Sequence, residues 1–404
     1  MKKTAKGVII GDIINTKKEV IAMSKWVTSW GIPTSYTAEG VGNLLKDTTF
    51  RNVFYNPIKG EKTRIRFSNK YGSENVTLDR VTIAEWAGKG PEIIADTLTE
   101  VTFKNNGNII KAGEELLSDE IDFALEPRKK YVISYYFKDV TPVETGYHKY
   151  AVAGIAPCWL ARGNYTDSIN IPAKKRIEVS DYVFLCGVDA LSSDDTHSVM
   201  AFGDSITARP WPDYLAQKLN DEGITNCSVV RKAIGGNRIL RDYRNCLPRR
   251  RQGYAAIERF EMSLRQTLGV DRVVMLEGVN DILHPVKGGS LCDIDELPTS
   301  EEMIEGYKQC CDIAHKYGAK FYLCTLMPTD KFEQSEEDRN GIKEEINNWI
   351  RTNNYIDGYV DFEAAVKDKN NPTVLAKEFD DDGLHPNLEG SKTLCNTIPL
   401  EYIL

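Results

Sequence analysis

Apolar positions follow two different rhythms along the chain. Up to about Leu191, β-branched and aromatic residues recur in short alternating runs, as in Thr63 to Ser68, Val76 to Trp86 and Tyr131 to Phe137. Residues two apart share one face of a strand, so each run predicts a strand with one buried face. Clusters of Gly, Asn and Pro separate the runs and predict turns. Many short strands punctuated in this way predict an antiparallel β-sandwich of jelly-roll type.

The rhythm changes near Ser198. The run Ser198 to Phe202 is apolar and ends at Gly203, and Trp211 to Leu219 then has the spacing of an amphipathic helix, with Pro212 suited to its first turn. Thr225 to Val230 predicts a second strand running towards Gly235-Gly236, and Arg272 to Leu276 a third running into Gly278. A helical pattern begins at Glu301, and Pro386 is placed to open a final helix through Gly390 and Leu394. Strands alternating with helices predict an open parallel α/β sheet. The polar stretch Ser192 to His197 separates the two patterns, giving a β-sandwich at 1–191, a linker at 192–197 and an α/β domain at 198–404. A chain of 404 residues is long for one domain, which agrees with this division.

In the second domain, segments with chemical potential follow the predicted strand ends, where open α/β sheets bind ligands. They are Gly203-Asp204-Ser205-Ile206, Gly235-Gly236-Asn237 and Gly278-Val279-Asn280-Asp281, joined by Asp382-Gly383-Leu384-His385 from a late loop. A serine hydroxyl is a poor nucleophile at neutral pH and needs an imidazole to take its proton. Ser205 is the candidate nucleophile, His385 the base, and Asp382 the carboxylate that fixes the imidazole's tautomer and orientation. Attack on a carbonyl carbon leaves negative charge on its oxygen. The backbone N–H groups of Ser205 and Gly236 and the side-chain amide of Asn280 are the candidate donors to it. Taken singly, Ser205 reads equally well as a helix-capping serine, and Gly235-Gly236 as a tight turn. Four blocks in one order favour an acyl-transfer site.

These blocks resemble the SGNH (GDSL) hydrolase superfamily, whose Ser, Gly, Asn and His correspond to Ser205, Gly236, Asn280 and His385. The resemblance covers roughly residues 196 to 404 and implies a flavodoxin-like three-layer fold. Upstream, Ser24 to Trp30, Thr63 to Gly72 and Asp181 to Val188 are similar to the β-sandwich preceding the hydrolase domain in a branch of bacterial esterases. That branch implies carbohydrate deacetylation or arylesterase activity. The expected function is therefore hydrolysis of short acyl esters, acetyl foremost, on carbohydrate hydroxyls. The alternatives are a lipase, arylesterase or acyl-thioesterase with the same catalytic residues, or a carbohydrate-binding protein with an inert hydrolase domain. Two departures from the family pattern stand out. Arg231-Lys232-Ala233 occupies the place where many members have an Asn before the second block, and only Thr207 to Pro210 separates the nucleophile segment from Trp211.

Composition narrows the partners. A formal charge of −8 and a pI near 5.4 argue against a general nucleic-acid or anionic-membrane binder. The basic run Arg249-Arg250-Arg251 reads as a solvated loop, with steering of an anionic substrate as its functional alternative. No stretch approaches the roughly 20 apolar residues of a membrane span, and the apolar run Gly7 to Ile10 is too short for a signal peptide. Nine cysteines, an odd number, do not form a disulfide framework. The expectation is a cytoplasmic protein with reduced thiols. No His/Cys cluster has zinc spacing, so no metal or other cofactor is expected. His284, four residues after Asn280, is a candidate pocket-wall residue. Trp211 is a second candidate, although its place at a helix start favours core packing. The other histidines read as surface or helix-end residues, Asp380 and Asp381 as solvated, and Trp26 and Trp30 as filling the sandwich core or the domain seam.

Overall fold

The computed structural model describes residues 24–36, 44–105, 107–148, 157–243, 251–334 and 336–404. The N-terminal stretch read for a targeting signal, the His148 side chain and Arg249-Arg250 lie outside the described residues.

The N-terminal region is rich in strands, chiefly β1 (Ser24–Gly31), β2 (Thr48–Asn56), β3 (Thr63–Ser68), β4 (Arg80–Glu85), β5 (Thr99–Glu100), β6 (Glu115–Leu117), β7 (Lys129–Phe137), β8 (Cys158–Arg162), β9 (Arg176–Val179) and β10 (Leu185–Ser193). They form a four-stranded sheet in the order β1-β10-β3-β6 and a six-stranded sheet in the order β9-β8-β2-β7-β4-β5. All pairings in both sheets are antiparallel. The alternation sets what faces inward. Tyr131, Ile133, Tyr135 and Phe137 of β7 join Ile65, Phe67 and Val188 of the other sheet in one buried cluster. Phe67 meets Tyr135 edge-on across the gap, with ring centroids 5.4 Å apart. The run from Val76 to Trp86 is broken at Leu78-Asp79, because Val76-Thr77 pairs separately with Ile109-Ile110. Trp30 packs on Phe54 and Tyr182 as a core residue should. Trp26 does not fill the core: it is half-exposed, with the Arg64 guanidinium 4.0 Å above its ring.

The C-terminal region contains five parallel strands, β11 (His197–Gly203), β12 (Cys227–Ala233), β13 (Val270–Leu276), β14 (Lys320–Cys324) and β15 (Gly358–Val360), in the order β12-β11-β13-β14-β15. This is the 2-1-3-4-5 order of a doubly wound sheet, whose reversal point lies between the strands numbered 1 and 3, here β11 and β13. The helices are α1 (Ser205–Ala208), α2 (Trp211–Asp221), α3 (Ala256–Arg265), α4 (Val279–Leu283), α5 (Ser300–Lys316), α6 (Arg339–Thr352), α7 (Phe362–Val366) and α8 (Leu388–Thr397). Right-handed crossovers put α2 on one face and α3, α5 and α6 on the other. The contacts agree, with α8 touching α2 and α7 while α5 touches α3 and α6. Thr299 and Glu302 close a capping box at the start of α5. The last helix begins later than Pro386 because Asn387 is its cap, accepting the Gly390 N–H at 2.9 Å. No helix of the described residues is long and apolar enough to cross a membrane, and no disulfide forms among the described cysteines, which are buried.

The two regions meet through buried polar contacts. Thr28 of β1 donates its N–H to the Leu268 carbonyl at 3.0 Å and accepts the Leu268 N–H on its hydroxyl at 2.9 Å. The Ser228 hydroxyl reaches the Thr28 carbonyl at 2.6 Å, and Arg66 bonds both the Gln266 carbonyl and Asp189, each at 2.6 Å. β1 thereby lies against β12, the edge of the parallel sheet, where a Cβ on Gly31 would stand 3.0 Å from Val230. Asn220, at the end of α2, fastens a second point. Its side chain accepts from the Tyr55 hydroxyl at 2.6 Å and donates to the Pro57 and Ile224 carbonyls at 2.8 and 2.7 Å. Asn220→Ala strands these partners with little access to water, so urea unfolding should register a loss of about 2–4 kcal/mol. A loss under about 0.5 kcal/mol would mean that water replaces the amide and that the seam does not depend on it.

Candidate active site

β11 delivers the nucleophile segment. Asp204 caps α1 by accepting the Ile206 N–H at 2.9 Å, and Ser205 is the first residue of the helix. Gly203 is obligatory at the strand end, since a Cβ there would stand 2.0 Å from the Leu276 carbonyl oxygen of the neighbouring strand. Ser205 Oγ lies 2.7 Å from His385 Nε2, and His385 Nδ1 lies 2.8 Å from Asp382 Oδ2. An ionised carboxylate only accepts, so Nδ1 carries the proton and Nε2 offers its lone pair to the serine hydroxyl. Asp382 Oδ1 also accepts the N–H groups of His385 and Leu384, at 2.9 and 3.1 Å. Burial pushes this carboxyl up, but the His385 N–H and the imidazole outweigh it and hold the carboxyl down to about 2. Asp382 is therefore charged throughout the range in which a histidine base works.

The candidate donors to a developing oxyanion come from separate segments. At the first helical position, the Ser205 N–H has no intrahelical acceptor. Gly236 has φ +75°, the left-handed region that glycine adopts without strain. Asn280, on α4, donates its amide to the Asn237 carbonyl at 2.8 Å and, over a longer 3.5 Å, to Asp204 Oδ2. The short bond fixes the amide, and the long bond to Asp204 is the weaker of the two. The structure brings Ser205 together with His385 and Asp382, and links Asn280 to the segment that carries Gly236.

Comparison with known families bears on the C-terminal region. Residues 201–393 match the model of the GDSL-like Lipase/Acylhydrolase family. The C-terminal region is a GDSL-like acylhydrolase domain. Among solved structures, the chain is similar to a GDSL-like lipase from Bacteroides thetaiotaomicron VPI-5482, at 16% identity over 51% of this chain and 87% of that one, with a TM-score of 0.34. It is also similar to an acetyl xylan esterase, at 22% identity over 50% of this chain and 96% of that one, with a TM-score of 0.36. For a variant of an acetyl xylan esterase from Geobacillus stearothermophilus the values are 15%, 51% and 94%, with a TM-score of 0.36. A search of curated proteins gives no match.

Two rim residues of the acylhydrolase domain named from sequence have different surroundings. Trp211 is fully buried against Phe362, with centroids 5.8 Å apart, and lines no opening. His284 is half-buried, and its Cε1 lies 4.0 Å from where a Cβ of Gly236 would stand. Its Nδ1 is 2.6 Å from the Tyr243 hydroxyl, which also bonds the Gly236 carbonyl. The tyrosine has one proton and the carbonyl can only accept, so Tyr243 donates to Gly236 and takes the proton of His284 Nδ1. Burial, aided by Arg238, pushes the His284 imidazole down to about 4, so it is neutral at ordinary pH.

The loop carrying His385 is held by residues that sequence reasoning passed over. Asp380 and Asp381 are not simply solvated. Asp380 accepts the N–H groups of Asp382 and Gly383 at 3.1 and 2.7 Å, and Asp381 pairs with Arg209 at 2.8 Å. The short segment after Ser205 is thereby tied to the histidine loop through Arg209. Thr329 adds a bond to the Gly383 carbonyl at 2.7 Å. The Asp-rich run before Gly383 has the composition of a side-chain-closed turn, the signal by which Asp380 could have been found.

Beneath the site lie the buried carboxyls Asp204, Glu277 and Asp281. Burial raises all of them above the usual carboxylate range, and neighbouring carboxyls add to the rise at Asp204 and Glu277. Asp281 accepts the N–H groups of Ile239 and Leu240 at 2.8 and 3.1 Å, fixing the chain after the second block, and is pushed up to about 6. Its folded-state value exceeds the unfolded value near 4, so the unfolded chain binds fewer protons between these limits and stability falls as pH rises through them. Asp281→Asn has no proton to lose. Relative to wild type, the variant should gain about 3 kcal/mol between pH 4 and pH 7 in denaturant unfolding. A stability difference that does not change with pH would contradict the assignment.

Proposed function

We propose that the protein is a serine esterase that removes short acyl groups, acetyl foremost, from carbohydrate hydroxyls. The observation that carries the reading is the continuous hydrogen-bonded line from Ser205 Oγ through His385 to Asp382, at 2.7 and 2.8 Å. Ser205 Oγ attacks the ester carbonyl carbon as His385 Nε2 takes its proton. The Ser205 and Gly236 N–H groups and the Asn280 amide hydrogen that makes only the long bond to Asp204 bind the resulting oxyanion, each worth roughly 3 kcal/mol. His385 then gives its proton to the departing alcohol oxygen, leaving an acyl group on Ser205. Water attacks that ester with His385 again as base, releasing the acid and restoring the serine.

The preference for a short acyl group is supported by what stands beside Gly236. Gln252 and the His284 ring lie 3.0 and 4.0 Å from where its Cβ would be, crowding the space next to this donor. The carbohydrate part of the reading rests on the resemblance of the upstream segments to esterases of that class. We read the N-terminal region, residues 1–191, as a jelly-roll β-sandwich with a structural role. It packs against the edge strand of the acylhydrolase sheet and reaches the rim, where Tyr71 stacks on Tyr254 at 5.8 Å. The Tyr254 carbonyl in turn accepts from Asn237 at 2.8 Å.

The test is acetate release from acetylated xylo-oligosaccharides, beside hydrolysis of p-nitrophenyl acetate and octanoate, by wild type and Ser205→Ala. Wild type should cleave the acetylated sugar and prefer acetate to octanoate by about 100-fold or more. Ser205→Ala should fold normally and lose on the order of 10⁴-fold in kcat. Cleavage of aryl esters alone would remove the carbohydrate. Retention of about a tenth of the rate in Ser205→Ala would remove the serine mechanism. Sugar binding without turnover would favour an inert hydrolase domain.

A further inference from the structure

Arg259 on α3 takes no part in the catalytic line, yet its bonds reach every strand that feeds the site. It is buried, with its guanidinium carbon 3.9 Å from the centroid of the Phe202 ring. Nη2 donates to the Gly203 carbonyl at 3.0 Å, just before Asp204 and Ser205. Nη1 donates to the Lys232 carbonyl at 2.8 Å, and Nε to Asn237 Oδ1 at 2.8 Å, on either side of Gly235-Gly236. Nη2 also lies 3.4 Å from Glu277, the residue before Gly278 and the Asn280 segment. The Asn237 carbonyl carries the chain of bonds onward by accepting the Asn280 amide at 2.8 Å.

We infer that Arg259 is a positioning residue for the transition state: one guanidinium sets the spacing of the nucleophile and the oxyanion donors by bonding the ends of β11, β12 and β13 together. The inference rests on the donors assigned under the proposed function. A planar fork with five N–H donors can hold carbonyls on separate strands at once, whereas a lysine ammonium is a point charge on a flexible stem. Donors must meet the oxyanion within a few tenths of an ångström to act fully. Loosening this fork therefore affects the charged transition state more than the neutral ester, so the cost falls on kcat.

Removing the arginine alone would strand the buried Glu277, so the principal test is the double variant Arg259→Met/Glu277→Gln, with Arg259→Lys as the conservative companion. Fold is checked by circular dichroism and thermal unfolding. Kinetics use p-nitrophenyl acetate, and an alkyl boronic acid serves as a probe that forms a tetrahedral adduct at the serine. Both variants should lose about 100-fold in kcat with KM within about 3-fold, and boronate affinity should fall in step with kcat. A purely structural role would lower the melting temperature and leave boronate affinity in the folded protein unchanged. A folded variant, either one, with kcat within about 5-fold of wild type would overturn the inference. Wild-type inhibition that Ser205→Ala abolishes, together with unaltered inhibition in the Arg259 variants, would count against Arg259 alone. Wild-type turnover with no Ser205-dependent inhibition would overturn the inference together with the serine reading beneath it.

Discussion

Three parallel strands must finish close enough together for one small group to touch the turns at all three ends. Strand pairing sets the spacing, since β11 lies between β12 and β13 with both registers unbroken from Val199 onward, placing Gly203 opposite Ala233 on one side and Leu276 on the other. Glycine makes the approach possible, because at Gly203 any side chain would collide with the Leu276 carbonyl. Once the strand ends are aligned, Ser205, Gly236 and Asn280 need only short turns to converge. The histidine loop comes from the far end of the chain and is fastened separately by Arg209, Thr329 and its own Asp380 turn.

Alignment of this kind is costly to maintain where it matters, because the site carries buried carboxyls and the Gly203 carbonyl at the strand end is shared between the Ile234 N–H and Arg259. Among the described residues, the carbonyls of Gly203 and Lys232 are satisfied by the Arg259 guanidinium and the N–H groups of Ile239 and Leu240 by Asp281. Polar groups in such a setting are worth most when every partner is present. The N-terminal region contributes at a distance. Its first strand fixes the beginnings of the strands through Thr28, and Tyr71 reaches the rim through Tyr254. A support on the edge strand from one end to the other limits how far β12, and with it Gly236, can move.

Much of this was legible in the sequence because the relevant signals are local. Alternation along Tyr131 to Phe137 marked a buried face, and an apolar run ending in Gly203 marked a strand that turns sharply. The four blocks named Ser205, Gly236, Asn280 and His385, and the structure places the serine and histidine side chains within hydrogen-bonding distance. What escaped were residues whose meaning lies in partners far along the chain. Arg259 reads as a polar position on an amphipathic helix, yet its guanidinium lies 2.8 Å from the Lys232 carbonyl, 27 residues away. Tyr243 sits in a polar loop and acquires its role only from His284, 41 positions on. Trp26 shares the helical spacing and bulk of Trp30 but falls where Arg64 covers its ring. Periodicity reports which face a residue occupies, not which distant group awaits it there.

The central claim is that Ser205 is the activated nucleophile, held ready by His385 and Asp382. The most direct measurement is to react the protein with a small fluorophosphonate and locate the adduct by intact mass and peptide mapping. The account predicts one adduct per chain, on Ser205, formed in step with loss of esterase activity and prevented by His385→Ala. Full loss of activity with the phosphonyl group on another residue, or undiminished turnover by a chain labelled at Ser205, would contradict it.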